Sequence, residues 1–141
     1  MSTSVDRVFL DANVLFSVGY LKGSRLGQLW RLPKVDLVTS EFALEEARRN
    51  LLAYRADGIS QLEALAAQLA VLAEAPATVL IPGDVEVAEK DRPILAAAVA
   101  AACTHLLAGD KRHFGSLYGR RIGGVLVLTP AQYLRRRSGR R

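Results

Sequence analysis

Residues 8–16 read VFLDANVLF, an apolar run interrupted by one carboxylate, Asp11, and one amide, Asn13. Because an unpaired carboxylate is costly to remove from water, Asp11 should lie where the run reaches solvent, a metal ion or another cation. The carboxyl end of a buried parallel strand is such a position, and ligands bind at that end of open α/β sheets. We therefore expect Asp11 to follow the first strand of such a sheet.

The rest of the chain alternates strand and helix patterns. Strands are predicted at residues 5–10, 35–39, 78–81, 105–108 and 125–128. Helices are predicted at residues 13–21, 24–32, 41–54, 57–74, 94–103 and 130–134. This alternation favours an α/β fold with a parallel sheet covered by helices on both faces.

Length and charge limit the organisation of the chain. A chain of 141 residues, of which 50% are hydrophobic and 23% charged, fits one domain, which we assign to residues 1–134. Residues 135–141 carry five arginines and are predicted to form a disordered basic tail, for which a solubility role and a nucleic-acid contact both remain open. The net charge of +5 fits a polyanionic partner without naming one.

The cellular setting is predicted from one cysteine and from the apolar segments. Cys103 is the single cysteine and cannot form an internal disulfide, which indicates a reducing, cytoplasmic setting. The first residues lack the pattern of a signal peptide. Residues 94–107 are too short for a membrane span, so we expect no membrane association.

Several acids occur where a doubly wound sheet would bring them to one edge. They are Asp11, Asp91, Asp110 and one of Glu41, Glu45 and Glu46. Helical geometry alone leaves the choice among the three glutamates open. Clustered carboxylates repel each other and persist best around a hard cation such as Mg²⁺ or Mn²⁺.

Ordinary structural roles compete with a metal site for most of these acids. Asp91 stands before Arg92-Pro93 and suits a helix cap, whereas Asp110 suits a turn. Asp11 is different, because an acid flanked by Val, Phe and Leu residues has no obvious role in folding. His105 and His113 are expected in a strand and in a loop, and so do not form a metal pair.

Four segments follow one another in a characteristic order. They read FLDANVL at 9–15, TSEFALEEARRNL at 39–51, DRPILAAA at 91–98 and LLAGDKRHF at 106–114. Together they resemble the motifs of the PIN domain family over nearly the whole chain, apart from the arginine tail. The resemblance implies a PIN-like three-layer α/β/α sandwich with a central, mostly parallel sheet of about five strands. It also implies a metal-dependent ribonuclease like the toxins of bacterial type II toxin-antitoxin systems.

The resemblance also assigns residues. It implies that the family's acidic positions are Asp11, Glu46, Asp91 and Asp110, and it selects Glu46 among the three glutamates. Asp11, Asp91 and Asp110 would bind Mg²⁺ or Mn²⁺, with Glu46 completing the site directly or through water. Asn13 would hold a ligand or water, although a cap or turn role fits it equally well.

The partners implied are an RNA substrate, a cognate antitoxin and a second copy of the chain in a homodimer. Lys111 and Arg112 would contact the RNA phosphates.

One position departs from the family pattern. Ala108 stands where many members have Thr or Ser, so a hydroxyl that could orient a ligand or water is absent. The departure keeps open a PIN-like module that binds RNA or protein without cleavage. A phosphatase resembling the haloacid dehalogenase family is disfavoured, because its motif needs a second acid where this chain has Asn13.

Overall fold

The computed structural model describes residues 5–21, 23–73, 91–109 and 114–138. The strands are β1 (Asp6–Leu10), β2 (Val35–Ser40), β3 (Ala70–Leu72), β4 (His105–Leu107), β5 (Arg121–Ile122) and β6 (Val125–Leu128). The α-helices are α1 (Ala12–Tyr20), α2 (Glu41–Tyr54), α3 (Ile59–Ala66), α4 (Arg92–Ala100) and α5 (Pro130–Ser138). Short 3-10 helices cover Arg25–Arg31, Ala56–Gly58 and Gly115–Leu117.

The six strands form one sheet in the order β3-β2-β1-β4-β6-β5. Every neighbouring pair is parallel except β5 and β6, which are antiparallel. Leu10 lies opposite Leu107, and Leu107 lies opposite Leu128. The carboxyl ends of β1, β4 and β6 therefore share one edge of the sheet. The predicted α/β/α architecture with a mostly parallel sheet is confirmed, with six strands where about five were expected.

The core explains why the strands read as continuous apolar runs. Val8, Phe9 and Leu10 of β1 are completely buried, and every residue of β6 is buried as well. Helices α1, α2 and α3 pack against one another, whereas α4 packs against β4 and α5 against β6. Burial of each large apolar side chain contributes about 1.5–3 kcal/mol. Among the described residues, no helix is long and apolar enough to cross a membrane.

Serine side chains begin two of the helical segments at the predicted positions. The Ser40 hydroxyl accepts a hydrogen bond from the backbone N–H of Ala43 at 3.1 Å and caps α2. Ser24 accepts similarly from Leu26 at 3.1 Å. The segment that follows Ser24 is a 3-10 helix and not the expected α-helix, with the Gly27 N–H bonded to the Ser24 carbonyl at 3.1 Å.

The predicted helix at residues 57–74 is wrong in its second half. The helix α3 ends at Ala66, and Ala70–Leu72 forms β3, which pairs in parallel with Val38–Ser40 of β2. Residues 70–72 form a strand despite the helical spacing of the leucines, because pairing with β2 satisfies the backbone groups on the outer edge of β2. The strand expected at residues 78–81 lies outside the described residues.

The prediction of a disordered tail is wrong for residues 135–138, which complete α5. Arg137 pairs with the Asp6 carboxylate at 3.4 Å and donates a hydrogen bond to the Pro33 carbonyl at 2.5 Å. The Tyr133 hydroxyl donates to the same Asp6 carboxylate at 2.7 Å. These contacts hold the last helix against the beginning of β1, and residues 139–141 lie outside the described part of the chain.

Candidate active site

Asp11 joins the end of β1 to the first turn of α1. Its side chain is 5% exposed, and its Oδ1 accepts a hydrogen bond from the backbone N–H of Ala12 at 2.7 Å. Its own backbone N–H donates to the Leu107 carbonyl at 3.0 Å. The partial positive charge at the N-terminus of α1 lies beside this carboxylate. Asp11 thus occupies the edge of the sheet expected from its sequence.

Asn13 connects α1 to the chain that follows β4. Its Oδ1 accepts a hydrogen bond from the backbone N–H of Gly109 at 3.0 Å. The amide therefore binds protein backbone, in addition to whatever ligand or water the edge holds. Gly109 immediately precedes Asp110 in the sequence, so Asn13 fixes the backbone that leads to that acid.

Tyr118 supports the same segment and was not selected from the sequence. Its hydroxyl donates a hydrogen bond to the Ala108 carbonyl at 2.8 Å, while the Ala108 N–H donates to the Leu128 carbonyl at 3.1 Å. Ala108 itself is completely buried. The backbone contacts that position residues 108 and 109 therefore do not use a side-chain hydroxyl at position 108. The sequence carries no signal for the Tyr118 contact, since it depends on the turn between Gly115–Leu117 and β5.

Asp91 precedes α4 and is 8% exposed. Pro93 lies in the first turn as predicted, but the Asp91 side chain makes no capping hydrogen bond to α4, whose residues are all described. The expected capping role is therefore wrong. Because residues 101–104 connect the end of α4 directly to the start of β4, the beginning of α4 lies toward the carboxyl end of β4. Asp91 and Asp11 consequently lie toward the same edge of the sheet.

The three glutamates of α2 differ in their surroundings. Glu41 is exposed, and Glu45, whose side chain is 59% exposed, pairs with Arg48 at 3.3 Å. Arg48 also pairs with Glu63 of α3 at 2.6 Å. Glu46 is half-buried beside the fully buried Ala47. Glu45 therefore serves the contact between α2 and α3.

That contact between α2 and α3 changes the proton affinity of its members. The hydrogen bond from Arg48 lowers the pKa of the Glu63 carboxyl, although desolvation opposes this effect. The hydrogen bond to Glu63 in turn raises the pKa of Arg48, with Glu45 adding a smaller contribution. The Arg48 cluster is thus a charged structural contact between helices.

Three of the assigned residues, Asp110, Lys111 and Arg112, lie outside the described residues. Within residues 5–21, 23–73, 91–109 and 114–138, no three side chains of His, Cys, Asp or Glu are grouped so that they could hold a metal ion. The two buried acids of this edge, Asp11 and Asp91, offer the hard oxygen donors that Mg²⁺ and Mn²⁺ prefer. The donor chemistry fits a divalent ion, and a full ligand set requires an acid beyond these two.

His105 packs at the other end of β4. Its Nδ1 lies 2.8 Å from the Thr104 hydroxyl, and its ring meets the Tyr133 ring edge-on at a centroid distance of 4.9 Å. His105 is the first residue of β4, one strand length away from the edge that holds Asp11. The expectation that His105 lies in a strand is confirmed, and His113 lies outside the described residues.

The fold is shared with solved bacterial toxins. The VapBC2 structure from Rickettsia felis, bound to a DNA fragment of its promoter, matches 87% of this chain and 98% of the other, with a TM-score of 0.61 and 14% identity. VapBC-1 from nontypeable Haemophilus influenzae matches 89% and 98% of the two chains, with a TM-score of 0.58 and 15% identity. The chain has the fold of the PIN-domain toxins.

A third structure has the same fold. The alignment with the sarcin-ricin loop cleaving toxin VapC20 from Mycobacterium tuberculosis covers 77% of this chain and 94% of the VapC20 chain, with a TM-score of 0.56 and 16% identity. No family model and no curated protein matches the sequence. The resemblance of the four sequence segments to the PIN domain family is therefore confirmed at the level of the PIN-domain fold.

Proposed function

We propose that this chain is a Mg²⁺- or Mn²⁺-dependent ribonuclease that hydrolyses RNA phosphodiester bonds and acts as the toxin of a toxin-antitoxin pair. The observation that carries the proposal is the burial of Asp11 at the carboxyl end of the central strand, where its backbone is bonded to β4. The Ala12 N–H supplies one hydrogen-bond donor to this carboxylate, and a divalent cation at the edge would neutralise its charge. Asp91, which precedes α4, adds a second buried carboxylate toward the same edge.

The residues proposed to hold the divalent ion are Asp11, Asp91 and Asp110, with Glu46 as the fourth acid. When bound, the ion lowers the pKa of a water molecule and neutralises charge on the phosphate. Glu46 is preferred over Glu45 because the Glu45 side chain is 59% exposed and pairs with Arg48, whereas Glu46 is half-buried. Asn13 positions the backbone before Asp110 through its bond to Gly109.

Contacts with RNA are proposed for Lys111 and Arg112, which follow Asp110 in the sequence. Cationic side chains beside the site would attract the phosphate backbone and add an affinity that depends on salt and little on sequence. The net charge of +5 would also attract the negatively charged RNA. The proposed setting is the cytoplasm, where RNA substrates are available.

A cognate antitoxin is the proposed protein partner. Two of the structural neighbours carry the VapBC name, and one of them is bound to promoter DNA. An antitoxin would cover the acidic edge or insert a basic group into it, because a cation there replaces the divalent ion in neutralising the carboxylates. A homodimer is proposed as the assembly of the toxin itself.

Cleavage of a mixed panel of structured RNAs tests the proposal. We expect products with Mg²⁺ or Mn²⁺, and none with a chelator or with the variant Asp11→Asn. Asp36→Asn is the matched control, because it removes the same charge from an exposed residue near the beginning of β2 and should cleave like the wild type. Cleavage that survives both the chelator and Asp11→Asn would overturn the metal-dependent mechanism.

The second candidate is a module of the same fold that binds RNA or protein without cleaving, which Ala108 keeps in consideration. The bonds that hold residues 108 and 109 to Leu128, Tyr118 and Asn13 form without a hydroxyl at position 108, so the missing hydroxyl concerns a ligand or water and not this backbone segment. Thermal unfolding with Mn²⁺ separates the two candidates. The enzyme is stabilised by Mn²⁺ beyond a control at matched ionic strength, whereas a module without a metal site is not.

A further inference from the structure

Three aromatic rings and one guanidinium form a cluster between the ends of α1 and α2. The rings of Phe16 and Tyr20 are stacked at a centroid distance of 5.2 Å, and the ring of Tyr54 meets Phe16 edge-on at 6.4 Å. The Arg55 guanidinium lies over the Tyr20 ring, 5.5 Å from its centroid. We refer to Phe16, Tyr20, Tyr54 and Arg55 as the aromatic cluster.

The aromatic cluster lies on the surface. Tyr54 is 75% exposed and Tyr20 is 37% exposed, while Phe16 is half-buried against the core. Aromatic residues contribute most to the stability of a fold when they are buried, so two exposed tyrosines contribute little to this one. The Tyr54 ring offers the larger exposed surface to a planar partner, because Phe16 and Arg55 already contact the Tyr20 ring.

The aromatic cluster is connected to the proposed active site along both helices. Each helix carries a stripe of residues three or four positions apart, which lie on one face. The stripes are Asn13, Phe16 and Tyr20 on α1, and Glu46, Asn50 and Tyr54 on α2. Both stripes begin at a residue assigned to the proposed site and end at a tyrosine of the cluster.

The dimensions of these stripes suit a nucleic-acid strand. From Asn13 to Tyr20, α1 rises about 10 Å. Successive phosphates in one strand are about 3.4 Å apart along a duplex axis and farther apart in an extended single strand, so the stripe spans at most about three nucleotides. A strand with one phosphate at the acidic edge would therefore bring its next few bases to the aromatic cluster.

We propose that the aromatic cluster is a stacking platform for the bases of single-stranded RNA beside the cleaved phosphate. The inference rests on the proposed nuclease function and extends it to the class of substrate, RNA that is unpaired next to the cleavage position. Stacking on aromatic rings tolerates any base, because every base has a π face. The platform would thus add affinity without selecting a sequence.

Charge and polarity favour RNA over an apolar protein segment as the occupant. Arg55 places a cation on the platform, although Asp57 shares it at 3.4 Å, and the whole chain is cationic. Ser17 and Asn50 lie between the acidic edge and the rings, and both are half-buried polar residues. The Ser17 hydroxyl already donates a hydrogen bond to the Asn13 carbonyl at 2.9 Å, and its oxygen can still accept one from a ribose hydroxyl. A sugar-phosphate strand can also hydrogen-bond to the Asn50 amide, which an apolar segment would only cover.

Binding without cleavage tests the platform. The full chain is titrated into a fluorescently labelled, unstructured RNA in the presence of a chelator, and the Kd is measured by anisotropy. An abasic strand of the same length serves as the second probe. Tyr54→Leu and Tyr20→Leu remove a ring but keep an apolar side chain, Tyr54→Phe keeps the ring, and Leu52→Ala alters another exposed apolar residue of α2.

We expect each leucine variant to weaken binding of the RNA by about fivefold or more, with no change for the abasic strand. Tyr54→Phe and Leu52→Ala should bind like the wild type. Equal binding by all variants, or equal losses for RNA and for the abasic strand, overturns the platform. In that case, binding of an apolar peptide is measured instead. If the wild type binds the peptide and Tyr54→Leu does not, the aromatic cluster is a protein-docking surface.

The two proposals fail in different assays. If the wild-type chain cleaves RNA but the leucine variants keep their affinity, the platform is wrong and the nuclease function stands. If affinity depends on the rings but no RNA is cleaved with any divalent ion, the nuclease function is wrong. The chelator keeps the binding measurement independent of cleavage.

Discussion

The side-chain oxygen Oδ1 of Asn13 accepts a hydrogen bond from the backbone N–H of Gly109, 96 residues further along the chain, at 3.0 Å. This bond fixes the first turn of α1 to the segment that follows β4. It is a positioning contact, because it acts through backbone and leaves the carboxylates themselves unchanged.

Asn13→Ala removes the acceptor of that bond. We expect single-turnover cleavage of RNA to slow by about tenfold to a hundredfold, since small displacements of an active-site segment have effects of that size. The free energy of unfolding should fall by only about 1 kcal/mol. Denaturant unfolding measures the free energy difference. The cleavage rates are compared at a temperature where the wild type and Asn13→Ala are both folded. Wild-type cleavage by Asn13→Ala would contradict the positioning role.

Two tyrosine hydroxyls at opposite ends of the sheet offer a matched pair of variants. Tyr118→Phe loses the bond to Ala108 at the acidic edge, and Tyr133→Phe loses the bond to Asp6 at the other edge. Tyr133→Phe should lower the free energy of unfolding by about 1.5–3 kcal/mol, because the acceptor, the Asp6 carboxylate, is charged. Tyr118→Phe should lower it by only about 1 kcal/mol. Cleavage should nevertheless decrease only in Tyr118→Phe. The measurements are chemical unfolding and initial cleavage rates, and a reversed order of activities would refute the assignment.

The contact between Arg48 and Glu63 should make stability depend on acid. Because the folded protein lowers the pKa of Glu63 below its ordinary value of 4.5, the stabilisation is present above that value and disappears as pH falls through the folded pKa. The Glu63 side chain is 43% exposed, so solvent screening limits the contribution to about 0.5–1 kcal/mol. The free energy of unfolding of Glu63→Gln should be lower than that of the wild type by this amount at pH 7 and equal to it at low pH. A deficit that persists unchanged in acid would exclude ionisation as its cause.

Cys103 should be unreactive in the folded protein. The pKa of its thiol is raised to about 11, mainly by burial, while Arg7 opposes the shift and Asp36 adds to it. The residue is also only 3% exposed. Iodoacetamide at neutral pH should therefore modify the unfolded chain at least about a hundredfold faster than the native one, which mass spectrometry can follow. Equal rates would mean that the thiol is accessible in the native state.

The elements predicted correctly from the sequence are those whose local pattern agrees with their final contacts. The apolar run that predicts β1 lies within a few neighbouring residues. The same is true of the serine cap and the apolar face that predict α2. The position of Asp11 followed from the cost of burying a carboxylate. Local chemistry was sufficient in each case.

The elements that were missed depend on distant partners. Ala70–Leu72 continues a helical leucine spacing but pairs with β2, and Arg121–Ile122 is too short to leave a pattern. The arginines of residues 135–138 look like a solvated tail, and only the Asp6 carboxylate near the other end of the chain explains why they continue α5. The Tyr118 contact likewise arises from tertiary packing.

The position of β1 between β2 and β4 has a consequence during protein synthesis. The Asp11 backbone N–H and the Asn13 side chain both bind groups of residues 107–109, which leave the ribosome long after α1 does. Chains that end before β4 cannot form these bonds, and the neighbour of β1 on that side is missing. A growing chain would therefore carry its N-terminal acid without an assembled edge, and the contacts of Asp11 and Asn13 with residues 107–109 would form only after β4 has been synthesised.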